Sequence, residues 1–564
     1  MLKHIIVKNI NYLCLSSCQS KLPKVDVYYL SAKKESPLGG GGFVAFCIKP
    51  SVRKVDSTDK ISCKGLIVIY QLTTSKHTLN THVSDLIHAA DIVSFPSNSA
   101  IFLNVGTGGG KSYFCKHTLY NVAAKQNKRV LYIISRANPR DQFYNEIVKA
   151  GKQDYISITT YQALESRILA GESYVLYKYD YIVFDEYHRF ISDSIIDANT
   201  DLLLEEVFNC SAVRFFLSAT PYGMDTYLQQ RFSQKNIYYT SYYLPACYKS
   251  MTLRVYQNQI SIEHVLSKAI NENVKAVCFS TNIQLLRDLY QKYRECSLFI
   301  CSEANNEYSK YVDEDSKQAM LESEKLPCII LFATTCLDIG FNLNDTSIKY
   351  IICDLDDIDQ IKQCIGRRRI KHETDSLQVY VKDQSTSMMQ RSIKDWEKKI
   401  EPVIYLNRYG EVAYKQRYLQ RHQYKPSRLI FWGSDERGNP LLQASELTYR
   451  YYVHRIKRCR EVLNSGKNFL SFLQGEFDCN TIDREIALHS NIVRYVYLLS
   501  VVGKEFDLQE RKEFCRQLNY RDTYRNLVKT IDKINKELQA ECLPFEVQKI
   551  IVKKQTFWMV TLIE

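Results

Sequence analysis

Short apolar runs alternate with longer mixed segments through the middle of the chain, and that alternation sets the expected fold. AIFLNV, RVLYII, YISIT, YDYIVF and VRFFLSA are runs of strand length, separated by helix-length charged segments such as KSYFCKHTLYNVAAKQ. KAVCFS, SLFICS, PCIILFAT, KYIICD and LQVYVK form a second series of the same kind. Near-continuous apolar strands alternating with helices predict parallel sheets covered on both faces. The boundaries expected are an accessory region over residues 1–95, a first α/β unit over 96–245, a second over 246–385 and a basic, mainly helical domain over 386–564. In the first of these, LIVIYQL at 66–72 reads as a strand and Gly39 to Gly42 as a loop. Beyond 386, SELTYRYYVHRIKRCREVL and RDTYRNLVKTIDKINKEL read as helices.

Composition excludes more than it selects. The chain has 564 residues, 45% hydrophobic and 24% charged, which excludes a wholly disordered or fibrous molecule. No apolar run approaches the ~18 residues of a membrane span, and the first twenty residues lack the continuous apolar stretch of a secretory signal. A soluble, cytoplasmic protein with no membrane partner is expected. The eighteen cysteines include no CxxC pair and many lie inside apolar runs, as Cys278 and Cys353 do, so reduced, metal-free thiols are expected. Net charge is +13, distributed as about +6 over residues 1–100, zero over 101–400 and +7 over 401–564. A neutral middle with basic flanks suits a catalytic core whose outer parts touch a polyanion.

Two segments carry phosphate chemistry. NVGTGGGKS, Asn104 to Ser112, follows a predicted strand and opens a predicted helix. Gly106, Thr107, Gly108, Gly109 and Gly110 would wrap backbone amides around phosphates at a helix N-terminus, Lys111 would reach the β- and γ-phosphates, and the Ser112 hydroxyl would ligate Mg²⁺. Val105 stands where the general GxxxxGK pattern has glycine. In YDYIVFDEYH a strand ends in Asp185 and Glu186, at the carboxyl edge where open α/β sheets bind ligands. Asp185 would hold Mg²⁺ and Glu186 would orient and deprotonate an attacking water.

GTGGGKS, DEYH (Asp185 to His188) and SAT (Ser218 to Thr220) resemble motifs I, II and III of superfamily 2 helicases, the DEAD/DEAH-box class. ISRAN around Arg136 and TTYQ with Thr160 fall where motifs Ia and Ib lie. FST with Thr281, TTCLDIGFN from Thr334 through Asp338 and Gly340, and QCIGRRR from Gln363 resemble motifs IV, V and VI. The resemblance spans residues 96–385 and implies two tandem RecA-like parallel-sheet domains with ATP and Mg²⁺ between them. It implies nucleic-acid contacts at Arg136, Thr160, Thr281 and Thr334, cofactor contacts at Gln363 and Gly340, and coupling through His188, Ser218, Thr220 and Asp338. It also implies catalytic cations from the second unit. Gly366-Arg367 matches the pattern, but its final arginine would fall on Ile370, so Arg367 and Arg369 are the expected pair with Arg368 beside them.

The resulting expectation is an ATP-dependent helicase or translocase with nucleic acid as partner. An ATPase switch that clamps without unwinding, and more remotely a P-loop kinase, stay open. TYRYYVHRIKRCR, Thr448 to Arg460, also keeps two readings: cations and aromatics against nucleic acid, or a helix with Tyr452, Ile456 and Cys459 on an apolar face and its cations in solvent.

Overall fold

The computed structural model describes residues 26–32, 43–49 and 82–563, apart from 136, 198, 247, 249, 257–258, 303–304, 336–342, 371–374, 420–428, 435–437, 480, 484–493, 521–526, 542 and 553–554. The runs at 39–42 and 66–72 lie outside the described residues. Residues 1–71 form a unit of their own, in which β1 (Asp26–Ala32) and β2 (Phe43–Lys49) pair antiparallel.

In the larger unit, from residue 72 onward, two parallel sheets carry the fold. The first comprises β3 (Ala100–Val105), β4 (Val130–Ile134), β5 (Ile156–Thr160), β6 (Tyr181–Asp185), β7 (Val213–Ser218) and β8 (Tyr239–Leu244), in the order β5-β4-β6-β7-β3-β8. Its strands are parallel throughout. Their apolar runs follow from this, because both faces are covered. In β3, Ala100 and Phe102 enter one apolar cluster while Ile101, Leu103 and Val105 enter the other. The period of two along a strand sends successive side chains to opposite faces.

The second sheet runs β11-β12-β10-β13-β14-β9-β17. It contains β9 (Met251–Tyr256), β10 (Lys275–Ser280), β11 (Ser297–Ile300), β12 (Ile330–Ala333), β13 (Ile348–Asp354), β14 (Leu377–Lys382) and β17 (Thr481–Asp483), again all parallel. The ten runs read from the sequence are strands of these two sheets; β8, β9 and β17 are additions. β17 comes from nearly 100 residues beyond β14 and seats on β9, Thr481 opposite Thr252. Val462, Phe469, Leu470, Leu473 and Phe477, on the helices Glu446–Asn464 and Phe469–Phe477, belong to the same apolar core as β13 and β14.

The C-terminal region is mainly helical, as expected. It also holds a hairpin, β15 (Ile430–Ser434) with β16 (Pro440–Ala444), and a small antiparallel sheet, β18 (Glu505–Phe506), β20 (Gln555–Leu562) and β19 (Phe545–Val552). Among the described residues no helix is long and apolar enough to cross a membrane, and the described cysteines are free thiols.

Candidate active site

The carboxyl ends of β3, β6 and β7 lie side by side in the first sheet, so their following loops meet at one edge. After β3 the chain turns through Gly106–Gly110, with positive φ at Gly108 (84°) and Gly110 (81°), a region open to glycine at little cost. A Cβ on Gly106 would lie 2.4 Å from the Ala246 backbone nitrogen, so only glycine lets the loop pass there. Lys111 opens the next helix and its Nζ donates to the Val105 carbonyl at 2.7 Å. Val105 itself is fully buried as the last residue of β3, and its Cγ1 packs against Gly109, where it leaves no room for a side chain.

Lys111 lies in the field of both carboxylates at the end of β6. Burial lowers its pKa, and Glu186 and Asp185 oppose that. Burial and the neighbouring Glu186 push the Asp185 carboxyl up to about 6, with Lys111 opposing. Burial also works against ionised Glu186, but Lys111, His188 and Arg367 outweigh it and hold that carboxylate well below the usual range. Glu186 adopts a left-handed φ of 50°, uncommon for a residue with a Cβ and typical of strained functional turns. The pair is thus differentiated: Glu186 is the more firmly ionised member.

One hydrogen-bonded chain runs from Glu186 to the second lobe. Ser218 Oγ donates to Glu186 Oε2 at 3.2 Å and accepts the Thr220 amide at 3.1 Å. His188 Nδ1 lies 2.9 Å from the same hydroxyl and 3.3 Å from Glu186 Oε2. From the second lobe, Gln363 Nε2 donates to Thr220 Oγ1 at 2.7 Å and lies 2.8 Å from His188 Nε2. The two amide protons of Gln363 satisfy both partners if His188 Nε2 accepts, which leaves the His188 proton on Nδ1 facing Ser218. Gln363, expected at the cofactor, therefore contacts His188 and Thr220.

The three arginines divide. Arg368 is buried and forked onto Asp375 at 2.6 Å through Nη2, with further bonds to the Ile348 and Thr346 carbonyls. Arg367 contributes to the field at Glu186, and Arg367 and Arg369 both contribute to the field at Lys111. Burial lowers the Arg369 pKa, and Glu324 opposes that. Gly366 meets the phosphate loop directly, a Cβ there falling 2.6 Å from Thr107 Cγ2.

Thr160, Thr281 and Thr334 each stand at or just past the carboxyl end of a strand: β5, β10 and β12. Thr160 caps the helix Tyr161–Leu169 by accepting the Ala163 amide at 3.1 Å, Thr281 is exposed and Thr334 half-buried. Arg136, Asp338 and Gly340 lie outside the described residues.

Sequence reasoning missed two groups. Asp354 ends β13 as Asp185 ends β6, and it accepts Ser280 Oγ at 2.7 Å and Tyr256 OH at 3.1 Å. Its place at the end of the apolar run KYIICD is a signal that could have found it. Tyr222 and Gly223, just beyond Thr220, meet the helix Glu446–Asn464, which no local pattern announces.

The residues fit a nucleotide and a hard cation. The loop passes only as glycine, the buried Asp185 is pushed up by a neighbouring negative charge, and its donor is an oxygen. Among the described residues no cluster of three or more His, Cys, Asp or Glu could hold a metal alone.

Residues 69–223 match the family described as type III restriction enzyme, res subunit. A comparison with curated proteins returned no match. Among solved structures the chain is similar to Mss116p bound to ssRNA and AMP-PNP, with 13% identity over 54% of this chain and 70% of that one and a TM-score of 0.40. It is similar to Dbp5 of S. cerevisiae bound to RNA and ADP BeF3, with 11% identity, 54% and 88% coverage and a TM-score of 0.40. Lhr helicase of Mycobacterium smegmatis bound to ssDNA and AMP-PNP gives 15% identity, 55% and 43% coverage and a TM-score of 0.33. The matched stretch includes the Gly106–Gly110 loop, the Asp185–Glu186 pair and the Ser218–Thr220 segment, and there the chain is similar to that family.

Proposed function

We propose that the protein is an ATP-dependent nucleic-acid motor that hydrolyses ATP with Mg²⁺ in the cleft between its two lobes. The chain Glu186–Ser218–His188–Gln363, closed by Thr220, carries this reading, because it ties the water-activating carboxylate to the lobe that brings Arg367 and Arg369.

In this reading the Gly106–Gly110 amides and Lys111 cradle the phosphates. Ser112 and Asp185 would hold Mg²⁺, which neutralises charge on the β- and γ-phosphate oxygens. Glu186 takes a proton from water as its oxygen bonds to the γ-phosphorus. The bond from that phosphorus to the β-bridging oxygen breaks, leaving ADP and phosphate. Arg367 and Arg369 stabilise negative charge on the transferring group, a contribution worth ~10³–10⁵ in rate in related chemistry. Arg368 is committed to Asp375 and takes no part. Nucleic acid would cross the carboxyl edges of both sheets near Thr160, Thr281 and Thr334, held mainly through its phosphates and with little sequence preference. A second parallel α/β unit that carries Gln363, Gly366 and Arg367 argues against a P-loop kinase.

The test is steady-state ATP hydrolysis with and without single-stranded DNA, duplex DNA and RNA. Turnover should rise severalfold with one nucleic acid, and Lys111→Ala and Glu186→Gln should each lower kcat by at least ~10²-fold, Glu186→Gln with ATP binding retained. Turnover indifferent to every nucleic acid, or normal in either variant, would overturn the proposal. Stimulated turnover without strand displacement would identify a clamping switch.

A further inference from the structure

The helix Glu446–Asn464 runs across both lobes. At its start, Ser445 Oγ donates to Asp201 Oδ2 at 2.8 Å and the Leu447 amide to Asp201 Oδ1 at 3.2 Å. Thr448 Oγ1 donates to the Ser194 carbonyl at 2.9 Å, and Leu447 enters the first lobe's core. Its far end is buried in the second lobe through Val462. Between these anchors, the helix touches the joint of the site. Arg455 Nη1 donates to Asp357 Oδ2 at 2.6 Å, and its guanidinium lies over Trp396. His454 Nε2 lies 2.7 Å from Asp359 Oδ2, while its ring packs 4.4 Å from Tyr222 and against Gly223.

Asp357 is the residue on which these contacts converge. It caps the helix Ile358–Arg367 by accepting the Asp359 amide at 2.9 Å, and that helix ends in Gln363, Gly366 and Arg367. Asp357 Oδ2 also accepts the hydroxyl of Tyr222, two residues past Thr220 in the first lobe. One carboxylate oxygen therefore takes a hydrogen bond from each lobe's side of the joint, Tyr222 from the first and Arg455 from the spanning helix. Asp357, Tyr222 and Arg455 are all nearly inaccessible to solvent. The cations of this helix are committed to such contacts: Arg450 to Glu446 and the Tyr227 face, Arg458 to Glu461 and Glu476, Arg460 to Glu397. Arg450, Arg455 and Arg458 are thus held against the protein, while Lys457 and Arg460 remain exposed on the outer face.

We propose that Arg455 and Tyr222 are positioning residues for hydrolysis: through Asp357 they fix the start of the helix whose other end carries Gln363 and Arg367, so the C-terminal region is a working part of the motor. This rests on the function proposed above. Neither residue touches nucleotide. Each acts by holding a helix at an angle from which its arginine reaches the transferring phosphate, a geometry on which rate depends steeply. Lysine in place of Arg455 keeps the charge but not the fork and the stacking on Trp396.

Tyr222→Phe and Arg455→Lys in the full chain test this, with kcat, KM for ATP, thermal midpoint and hydrogen exchange over residues 358–367 as readouts. Each variant should lose about tenfold in kcat with KM changed less than about twofold, as expected when a geometry needed in the transition state is lost. Arg455→Lys should also exchange faster at the start of the Ile358–Arg367 helix. Unchanged kcat in Tyr222→Phe, which removes one oxygen and leaves the packing intact, overturns the proposal even if Arg455→Lys does not fold. If the unmodified protein shows no turnover, the proposed function falls instead. Exchange then decides the brace alone, and unaltered protection in Arg455→Lys overturns it.

Discussion

Glu165 shows how far burial and acidic neighbours can shift a carboxyl group in this fold. It lies on the helix Tyr161–Leu169, 3% exposed, and burial together with its hydrogen bond to Asp197 pushes its pKa up to about 8. An unfolded chain releases this proton near pH 4.5, whereas the fold keeps it to about 8, so stability falls as pH rises through that window and stays lower above it. Glu165→Gln removes the titration and keeps an amide that can donate to Asp197. The variant should match the unmodified protein near pH 4.5 and gain on the order of 1–3 kcal/mol at pH 9, read as a higher thermal midpoint. Equal midpoints at both pH values would show that Glu165 is already ionised in the fold. At the cleft, a glycine turn before a helix and a strand end mark Lys111, Asp185 and Glu186 in the sequence, whereas Ser218 is reached only through the motif resemblance. The choice among Arg367, Arg368 and Arg369 was only partly so. Arg368 is turned away by Asp375 and by the bridge pairing Leu343 with Arg368, partners that no spacing rule supplies.

Among the elements, the two strand series were readable because both faces of every central strand are apolar. β8, β9 and β17 were not. β9 alternates buried with half-exposed positions, and β17 is three residues long and far from its neighbour in sequence. The helix Glu446–Asn464 was legible as a helix with an apolar face, but the acids outside it that engage its cations, Asp357, Glu397 and Glu476, are distant in sequence. A consequence at this scale concerns Gly366 in the helix Ile358–Arg367. A methyl there would collide with Thr107 of the phosphate loop, at 2.6 Å from Cγ2 and 2.8 Å from Oγ1. Alanine should favour the helix itself by up to ~1 kcal/mol, so Gly366→Ala should not melt earlier, yet its turnover should fall about tenfold as the lobes are held apart. Adding Thr107→Ala should recover much of the loss. Full turnover in Gly366→Ala alone would mean that Thr107 rotates aside and the contact sets no spacing.

In the molecule as a whole, two sheets that share a layout have unequal roles. The first carries the Gly106–Gly110 loop and both carboxylates, and Gln363 and Gly366 of the second meet Thr220 and Thr107. The motif resemblance implies such a division between the lobes, while the C-terminal helix that spans the joint comes only from the fold. The central claim is that one site is completed by both lobes. Single-turnover ATP hydrolysis by Arg367→Ala and Arg369→Ala, with nucleotide binding followed in parallel, addresses it most directly. At least one variant should bind ATP normally and hydrolyse it ~10³-fold more slowly, while Lys111→Ala loses affinity as well. Unimpaired hydrolysis in both arginine variants would contradict the account, because the first lobe would then suffice.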